Sequence, residues 1–267
     1  MRIGVVAPSC PIDAEVARRV AERADALGAQ LVVHPQCFLS SGHFAGDDPA
    51  RADALVEMAN DPGLDAIWFA RGGYGACRIV EAVLPRLTAI ARAKTWLGYS
   101  DAGSLLGALY ARGFDKIAHG PMPADIRRDG GEAAVDRALS WLVARDASAL
   151  EPGLGEATVA AFNMTILSTL IGTAWQPDLA GHVLLLEEVG EYHYRIDRTL
   201  CHITSNPNIR KVAGIRFGRI SDIPPNDRPF GAAADDIAAH WCRVSGIAHL
   251  GAADIGHDVD NKVVPFG

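Results

Sequence analysis

Lys94 to Gly113, KTWLGYSDAGSLLGALYARG, constrains the fold more than any other stretch of this sequence. Thr95, Trp96 and Leu97 read as a short strand, and Gly98 supplies a position without a Cβ. From Ala102 the pattern turns helical, with Leu105, Leu106, Leu109 and Tyr110 on one side and Gly113 as the stop. Ser100 therefore sits where a strand hands over to a helix. Such a turn lifts a hydroxyl out of the sheet and leaves backbone N–H groups at the helix start without intrahelical partners. Those donors can face a developing oxyanion. Gly98-Tyr99-Ser100-Asp101-Ala102 is close to the G-x-S-x-G nucleophile elbow, with alanine at the last place. The same pattern also suits a serine that only caps a helix.

The preceding chain alternates strand and helix. Arg2 to Ala7 is an apolar run that reads as a buried strand. A helix capped by Asp13 follows, with Val16, Val20, Ala24 and Leu27 at helical spacing and Gly28 as its end. Leu31 to His34 forms a second strand, which implies a parallel pair with a right-handed crossover. Pro35 to Asp48 is a polar loop, long enough to border a site and equally able to be plain surface. Asp48 then caps a helix that has Pro49 in its first turn. Ala66 to Ala70 is the third strand, and Arg71-Gly72-Gly73-Tyr74-Gly75 follows it. Glycines so closely spaced let backbone N–H groups approach a ligand or a reaction centre. The run is neither a Walker loop nor G-x-G-x-x-G, so it gives no support to nucleotide-cofactor binding. Parallel strands place their carboxyl ends at one edge of a sheet, where open α/β folds bind ligands. A second oxyanion donor beside Ser100 could come from there.

The remaining chain carries an apolar, partly helical stretch over Val159 to Gly172. A strand ending in Glu187-Glu188, a helix through Glu191 to Ile203 and another strand over Val212 to Phe217 follow. Chain length allows one large domain or two modest ones. Glycine and proline clusters around Gly130-Gly131 and Pro152-Gly153 place the passage between domains in that region. The net charge of −7 argues against a nucleic-acid or anionic-membrane partner. The five cysteines are scattered, odd in number and without C-x-x-C, as expected of reduced thiols. No apolar run reaches the ~20 residues of a membrane span, and no signal-peptide pattern opens the chain, so a soluble cytoplasmic protein is expected. His119, His182, His193 and His202 show no zincin spacing, and neither a metal nor another cofactor is expected.

A serine hydroxyl needs a base within reach, and the base needs an acid to hold its tautomer. Ser100, Glu187 and His257 supply the three types in the chain order serine, acid, histidine, which is also that of α/β-hydrolases.

At these residues the sequence resembles the LD-carboxypeptidases, or muramoyltetrapeptide carboxypeptidases, with the microcin-immunity peptidases as relatives. The matching blocks are IGVVAPS (Ile3 to Ser9), FAGDDPARADAL (Phe44 to Leu55), ARGGYGACRIV (Ala70 to Val80) and LGYSDAGSLL (Leu97 to Leu106). They continue with HGPM (His119 to Met122), LLLEEVGEYHYRIDR (Leu184 to Arg198), Gly256-His257 and the trailing PFG. The resemblance implies a serine peptidase in which Ser100 is the nucleophile, His257 the general base and acid, and Glu187 the acid that orients it. It implies an oxyanion hole from the N–H groups of Gly73 and Asp101. Read from the residues themselves, Arg71 is a substrate-binding candidate that could clamp a carboxylate or equally pair with an acid of the fold, and Tyr74 and Tyr99 are candidates that could line the groove or simply pack. The Asp101 side chain is expected to brace the elbow. The implied fold is α/β: a Rossmann-like parallel-sheet domain with the elbow over residues 1–128, a linker with a helix over 129–158, and a smaller β-rich, barrel-like α/β domain over 159–267. The implied substrate is a murein tetrapeptide, free or UDP- or anhydromuramoyl-linked, cut before its terminal D-alanine during cytoplasmic wall recycling. The implied assembly is a homodimer. A self-immunity peptidase acting on peptidyl or aminoacyl nucleotides, and a non-catalytic binder of wall fragments, are the rival readings.

Three departures from the family pattern stand out. The acidic pair is Glu187-Glu188 rather than Glu-Asp. Neighbours on a strand face opposite sides, so one of the two reaches His257; Glu187 matches the family position and Glu188 is the fallback. Ala161-Phe162-Asn163 replaces Gly-Gly-Asn. The chain also stops ten residues after His257, where relatives often continue with another strand, which implies weaker domain closure or dimer contacts.

Overall fold

The structure, a computed structural model, describes residues 1–267. In chain order the elements are β1 (Arg2–Val6), α1 (Ala14–Ala26), β2 (Gln30–Val33), α2 (Asp48–Asn60), β3 (Ala66–Phe69), α3 (Ala76–Val83) and α4 (Ala89–Ala93). Next come β4 (Thr95–Gly98), α5 (Gly103–Ala111), β5 (Ile117–His119), α6 (Gly131–Ala144), β6 (Val159–Asn163) and α7 (Met164–Leu170). The chain closes with β7 (Val183–Val189), α8 (His193–Ser205), β8 (Gly214–Ser221), α9 (Ala234–Ser245), β9 (His249–Ala252) and β10 (Val264–Pro265).

The first sheet runs β10-β5-β4-β3-β1-β2, parallel except for β10, which lies antiparallel on β5. Its strands are short apolar runs because helices cover both faces. Alternation sends Ile3 and Val5 to one face, where they pack with Val20 of α1 and Leu139 and Leu142 of α6. Val6, Ile67, Phe69 and Trp96 belong to the other face, packed with Leu55 of α2, Ile79 of α3 and Leu105 of α5. That core continues without a break into Phe162, Leu185 and Leu200 of the second unit. Burying a side chain of this size contributes roughly 1.5–3 kcal/mol, so the two units share a substantial part of their stabilisation.

The second sheet is parallel throughout, in the order β6-β7-β8-β9. Its strands lie in a row, and β6 and β9 do not pair with each other. The barrel-like shape expected of this unit is therefore an open α/β sheet. Two further expectations change. The helix placed in a linker at 129–158 is α6, whose Val135, Ala138, Leu139 and Leu142 are buried against the first sheet. The end of the chain returns to the first sheet as β10, which a boundary at 159 did not anticipate. Asp47, not Asp48, caps α2 by accepting from Ala50 N at 2.9 Å. Asp48 instead meets Arg78 at 2.7 Å and Arg51 on the first turn.

The strand ends position the site. β3, β4 and β5 deliver residues 70–76, 99–102 and 120–128 to one edge of the first sheet. Packing of α5 on α7 brings the carboxyl ends of β6 and β7 to that same place.

Candidate active site

Ser100 opens a tight 3-10 turn between β4 and α5 with φ at 58°. A left-handed conformation costs a residue with a side chain on the order of 1–2 kcal/mol, so the surroundings must hold it. Asp101, the next residue, is buried and does part of this. Its carboxylate accepts from Ser9 Oγ at 2.5 Å and from Ala76 N at 2.8 Å. One side chain thus ties the elbow to the loop after β1 and to the start of α3, as expected for a brace. Burial raises the Asp101 pKa, against the two hydrogen bonds that favour its charged form.

His257 lies on the loop between β9 and β10. Its Nε2 is 2.9 Å from Ser100 Oγ, and its Nδ1 is 2.5 Å from Glu187 Oε2. Glu187 is fully buried, so Nδ1 carries the proton facing it and Nε2 is left to accept from the serine hydroxyl. Burial pulls the His257 pKa down, but the Glu187 charge and hydrogen bond outweigh it, and the net shift is upward. Glu187 Oε1 is buried without a hydrogen-bond partner, so the bond from Oε2 to His257 is the one this carboxylate makes.

The loop that presents His257 is held from both units. Arg219 of β8 donates to Asp254 at 2.6 Å and to Asp258 at 2.8 Å, on either side of Gly256-His257. Asn261 Oδ1 accepts from Gly256 N at 3.2 Å and meets His119 Nε2, at the end of β5, at 3.1 Å.

Glu188 faces away from His257. It accepts from Asn163 Nδ2 at 2.6 Å, Thr165 Oγ1 at 2.7 Å and Thr165 N at 2.9 Å, bracing the β6–α7 junction. Asn163 also caps α7 through Ile166 N. This asparagine survives in the divergent Ala161-Phe162-Asn163 block and does local structural work there.

A cavity of about 240 Å³ opens over Ser100 and His257, walled by Arg71, Gly72, Gly73, Met122, Arg127 and Arg128 among others. A Cβ on Gly72 would stand 2.9 Å from Ser100 Oγ, so only glycine lets this wall approach so closely. Gly73 has φ at 114°, and a Cβ there would collide with Cys10 Sγ. Tyr99 also lines the cavity but is 2% exposed, and its hydroxyl donates to Asp125 at 2.8 Å. Its ring lies 5.0 Å from the His257 ring, so it reads as packing that seats the imidazole. Arg71 donates to the Pro11 carbonyl at 3.2 Å. Tyr74 is the exception among the expected residues. The chain bends at Gly73, and Tyr74 stands half exposed against the rings of Phe44 and His43, outside the cavity wall.

Sequence reading missed Asp125, Arg127 and Arg128. Their signal was positional: they follow β5 at the sheet edge that also carries the elbow.

The structure is thus an open α/β protein that brings serine, histidine and glutamate into one hydrogen-bonded line at the carboxyl edge of its first sheet. The chain belongs to the LD-carboxypeptidase family: models of that family's N-terminal and C-terminal domains match residues 3–120 and 156–267. It is 26% identical to the murein tetrapeptide carboxypeptidase of Pseudomonas aeruginosa, over 100% of this chain and 91% of that one. The muramoyltetrapeptide carboxypeptidase of Oxalobacter formigenes superposes with a TM-score of 0.82 at 21% identity, covering 100% of this chain and 93% of that one. MccF in complex with glutamyl sulfamoyl guanosine superposes with a TM-score of 0.81 at 18% identity, over 100% and 91% of the two chains. These two likenesses are of fold.

Proposed function

We propose that this protein is a serine LD-carboxypeptidase. It removes the terminal D-alanine from murein tetrapeptides, free or carried on a UDP or anhydromuramoyl group, in cytoplasmic wall recycling. The observation that carries the reading is the unbroken line from Ser100 Oγ through His257 to Glu187, at 2.9 and 2.5 Å.

In this reading Ser100 Oγ attacks the carbonyl carbon of the residue before D-alanine, and its proton passes to His257 Nε2. Glu187 stabilises the imidazolium. The N–H groups of Gly73 and Asp101 receive the oxyanion, the part of such sites where most stabilisation arises. Collapse breaks the C–N bond, and His257 returns the proton to the amine of the departing D-alanine. Water then attacks the acyl-enzyme with His257 as base, which frees the shortened peptide and restores Ser100. No cofactor enters these steps.

Cavity size supports a small leaving group. At about 240 Å³ it falls below the roughly 300–1,000 Å³ of pockets that enclose drug-sized ligands. The assembled hydrogen-bond line favours catalysis over mere binding.

Mass spectrometry of murein tetrapeptides incubated with the protein and with Ser100→Ala tests the proposal. Release of D-alanine by the first and its loss by several orders of magnitude in the second is expected. Undiminished release by Ser100→Ala rejects it.

A further inference from the structure

Arg51, on the first turn of α2, is a fully buried guanidinium that none of the catalytic steps above uses. Its Nη1 donates to the Pro8 carbonyl and, at 2.8 Å, to the Gly75 carbonyl. Nη2 is paired with Asp48, and the Phe44 ring covers the cation at 4.7 Å. A buried charge is costly unless its partners are well placed, so the segments it touches are held in a narrow geometry. The two carbonyls belong to different loops: Pro8 follows β1, and Gly75 lies between β3 and α3.

Asp101 joins the same two loops one residue further along each. It accepts from Ser9 Oγ at 2.5 Å and from Ala76 N at 2.8 Å. A buried cation thus holds residues 8 and 75, and a buried carboxylate holds 9 and 76. Next in the first loop, Cys10 sets its sulfur against Gly73, where no Cβ has room. Gly75 takes φ at 132°, and a Cβ on it would stand 2.8 Å from both Arg51 Nη1 and the Phe44 ring. The loop that carries the Gly73 N–H is therefore fixed at its far end by Arg51 and at its middle by Cys10.

Resting on the reading of Ser100 as nucleophile, we infer that Arg51 is a positioning residue for the oxyanion hole: by joining the Pro8 and Gly75 carbonyls it sets the Gly73 N–H against the Asp101 N–H. Arg51 lies outside the cavity wall, so it acts through the loop alone. The demand on that loop is strict, because oxyanion donors work at about 2.7–3.1 Å from the oxygen they stabilise.

A fluorophosphonate tests this without a peptide substrate, since its phosphoryl oxygen occupies the oxyanion hole as Ser100 attacks. Arg51→Lys keeps the charge but not the fork that spans Asp48 and two carbonyls. Its labelling rate constant should fall about 10–100-fold, the scale of a misplaced catalytic group. Loss of folded protein would lower the final extent of labelling and leave the rate constant unchanged. In a Gly73→Ala background Arg51→Lys should slow labelling by less than about threefold, because both changes act on the same N–H. The acidic limb of the labelling rate, set by His257, should not move. Where Arg51→Lys yields no folded protein, Asp48→Asn carries the test: it removes the ion pair that orients the guanidinium and should slow labelling several-fold. Full-rate labelling of the folded variant overturns the role of Arg51, and so does a slowing that multiplies with that of Gly73→Ala. A protein that labels at Ser100 with this dependence on Arg51 yet releases no D-alanine loses the proposed substrate and keeps the positioning role.

Discussion

Glu187 and Glu188 are neighbours on β7 with opposite duties: Glu187 Oε2 lies 2.5 Å from His257 Nδ1, and Glu188 Oε1 lies 2.6 Å from Asn163 Nδ2. Strand alternation sends them to different sides, and the two substitutions should separate accordingly. Glu187→Gln offers a donor where His257 Nδ1 needs an acceptor, which favours the wrong tautomer. A fall in kcat of about 10⁴ is expected, the size seen when the acid of such a triad is lost. Glu188→Gln should instead lower stability by about 1–3 kcal/mol through the donors it leaves unmatched, with kcat within an order of magnitude. Steady-state kinetics beside urea unfolding separates the two. A large kcat loss in Glu188→Gln with little in Glu187→Gln would transfer the role of acid to the neighbour.

The pH profile should carry the mark of Glu187. His257 serves as base only when neutral, and its pKa is raised above the ordinary 6.5 by Glu187 against the pull of burial. The acidic limb of kcat/KM should therefore lie above 6.5, with activity rising as pH increases through it. Glu187→Gln removes the raising partner and should move the limb of its residual activity to lower pH. The linkage has the opposite sense for stability. Protonated His257 stabilises the fold fully below the unfolded pKa, and that contribution fades as pH rises through the folded one. A limb that stays in place in Glu187→Gln would contradict this electrostatic account.

Gly73 tests the oxyanion arrangement. With φ at 114° and Cys10 Sγ in the path of any Cβ, Gly73→Ala must displace the loop that carries the proposed donor N–H. A loss of about 10²–10³ in kcat is expected, as for removal of one oxyanion donor. Adding Cys10→Ala removes the sulfur but leaves the Cys10 Cβ 3.3 Å from the new methyl and leaves the backbone strain. Rescue should therefore be partial. Full activity in the single Gly73→Ala variant would exclude this N–H from the reaction.

The parts of this molecule legible from sequence are those fixed by local chemistry. Ser100 declares itself because a glycine-bounded strand meets a helical apolar pattern. Asp13 caps α1 as read, with Val16 N at 2.8 Å. The choice of Glu187 over Glu188 follows from alternation and the family position, and the geometry puts Glu187 on the His257 side. What sequence hides is assembly across the chain. No period reveals that α6 packs on the first sheet, since its apolar face would look the same in a linker. The place of Arg127 and Arg128 beside the elbow shows only once β5 is set next to β4. Tyr74 looks like a groove residue until the bend at Gly73 carries it outward. Asp48 was a reasonable cap beside Pro49, but Asp47 reaches Ala50 N and frees Asp48 for two arginines.

His119 gives a stability prediction that is independent of catalysis. It is 1% exposed at the end of β5, against the Tyr99 ring at 5.5 Å and with Asn261 Oδ1 at 3.1 Å from Nε2. Burial drives its pKa down to about 4; the Glu187 charge and the Asn261 hydrogen bond pull the other way, and His257 adds to the lowering. An unfolded chain takes up this proton near the ordinary pKa of 6.5, well before the folded one does. Stability should therefore be fullest above 6.5, decline as pH falls below it, and level off once pH has passed about 4. That gap corresponds to ~3 kcal/mol. His257 contributes with the opposite sign near neutrality, so the diagnostic quantity is the difference between the protein and His119→Gln at each pH. Glutamine keeps a donor for Asn261 but does not titrate. It should cost about 1 kcal/mol at pH 7 from imperfect packing, and its deficit should shrink or reverse by pH 4.5. Urea unfolding at several pH values measures it. A deficit that stays constant across the range would mean that His119 titrates alike in both states, and its burial would then have no part in the acid sensitivity of the fold.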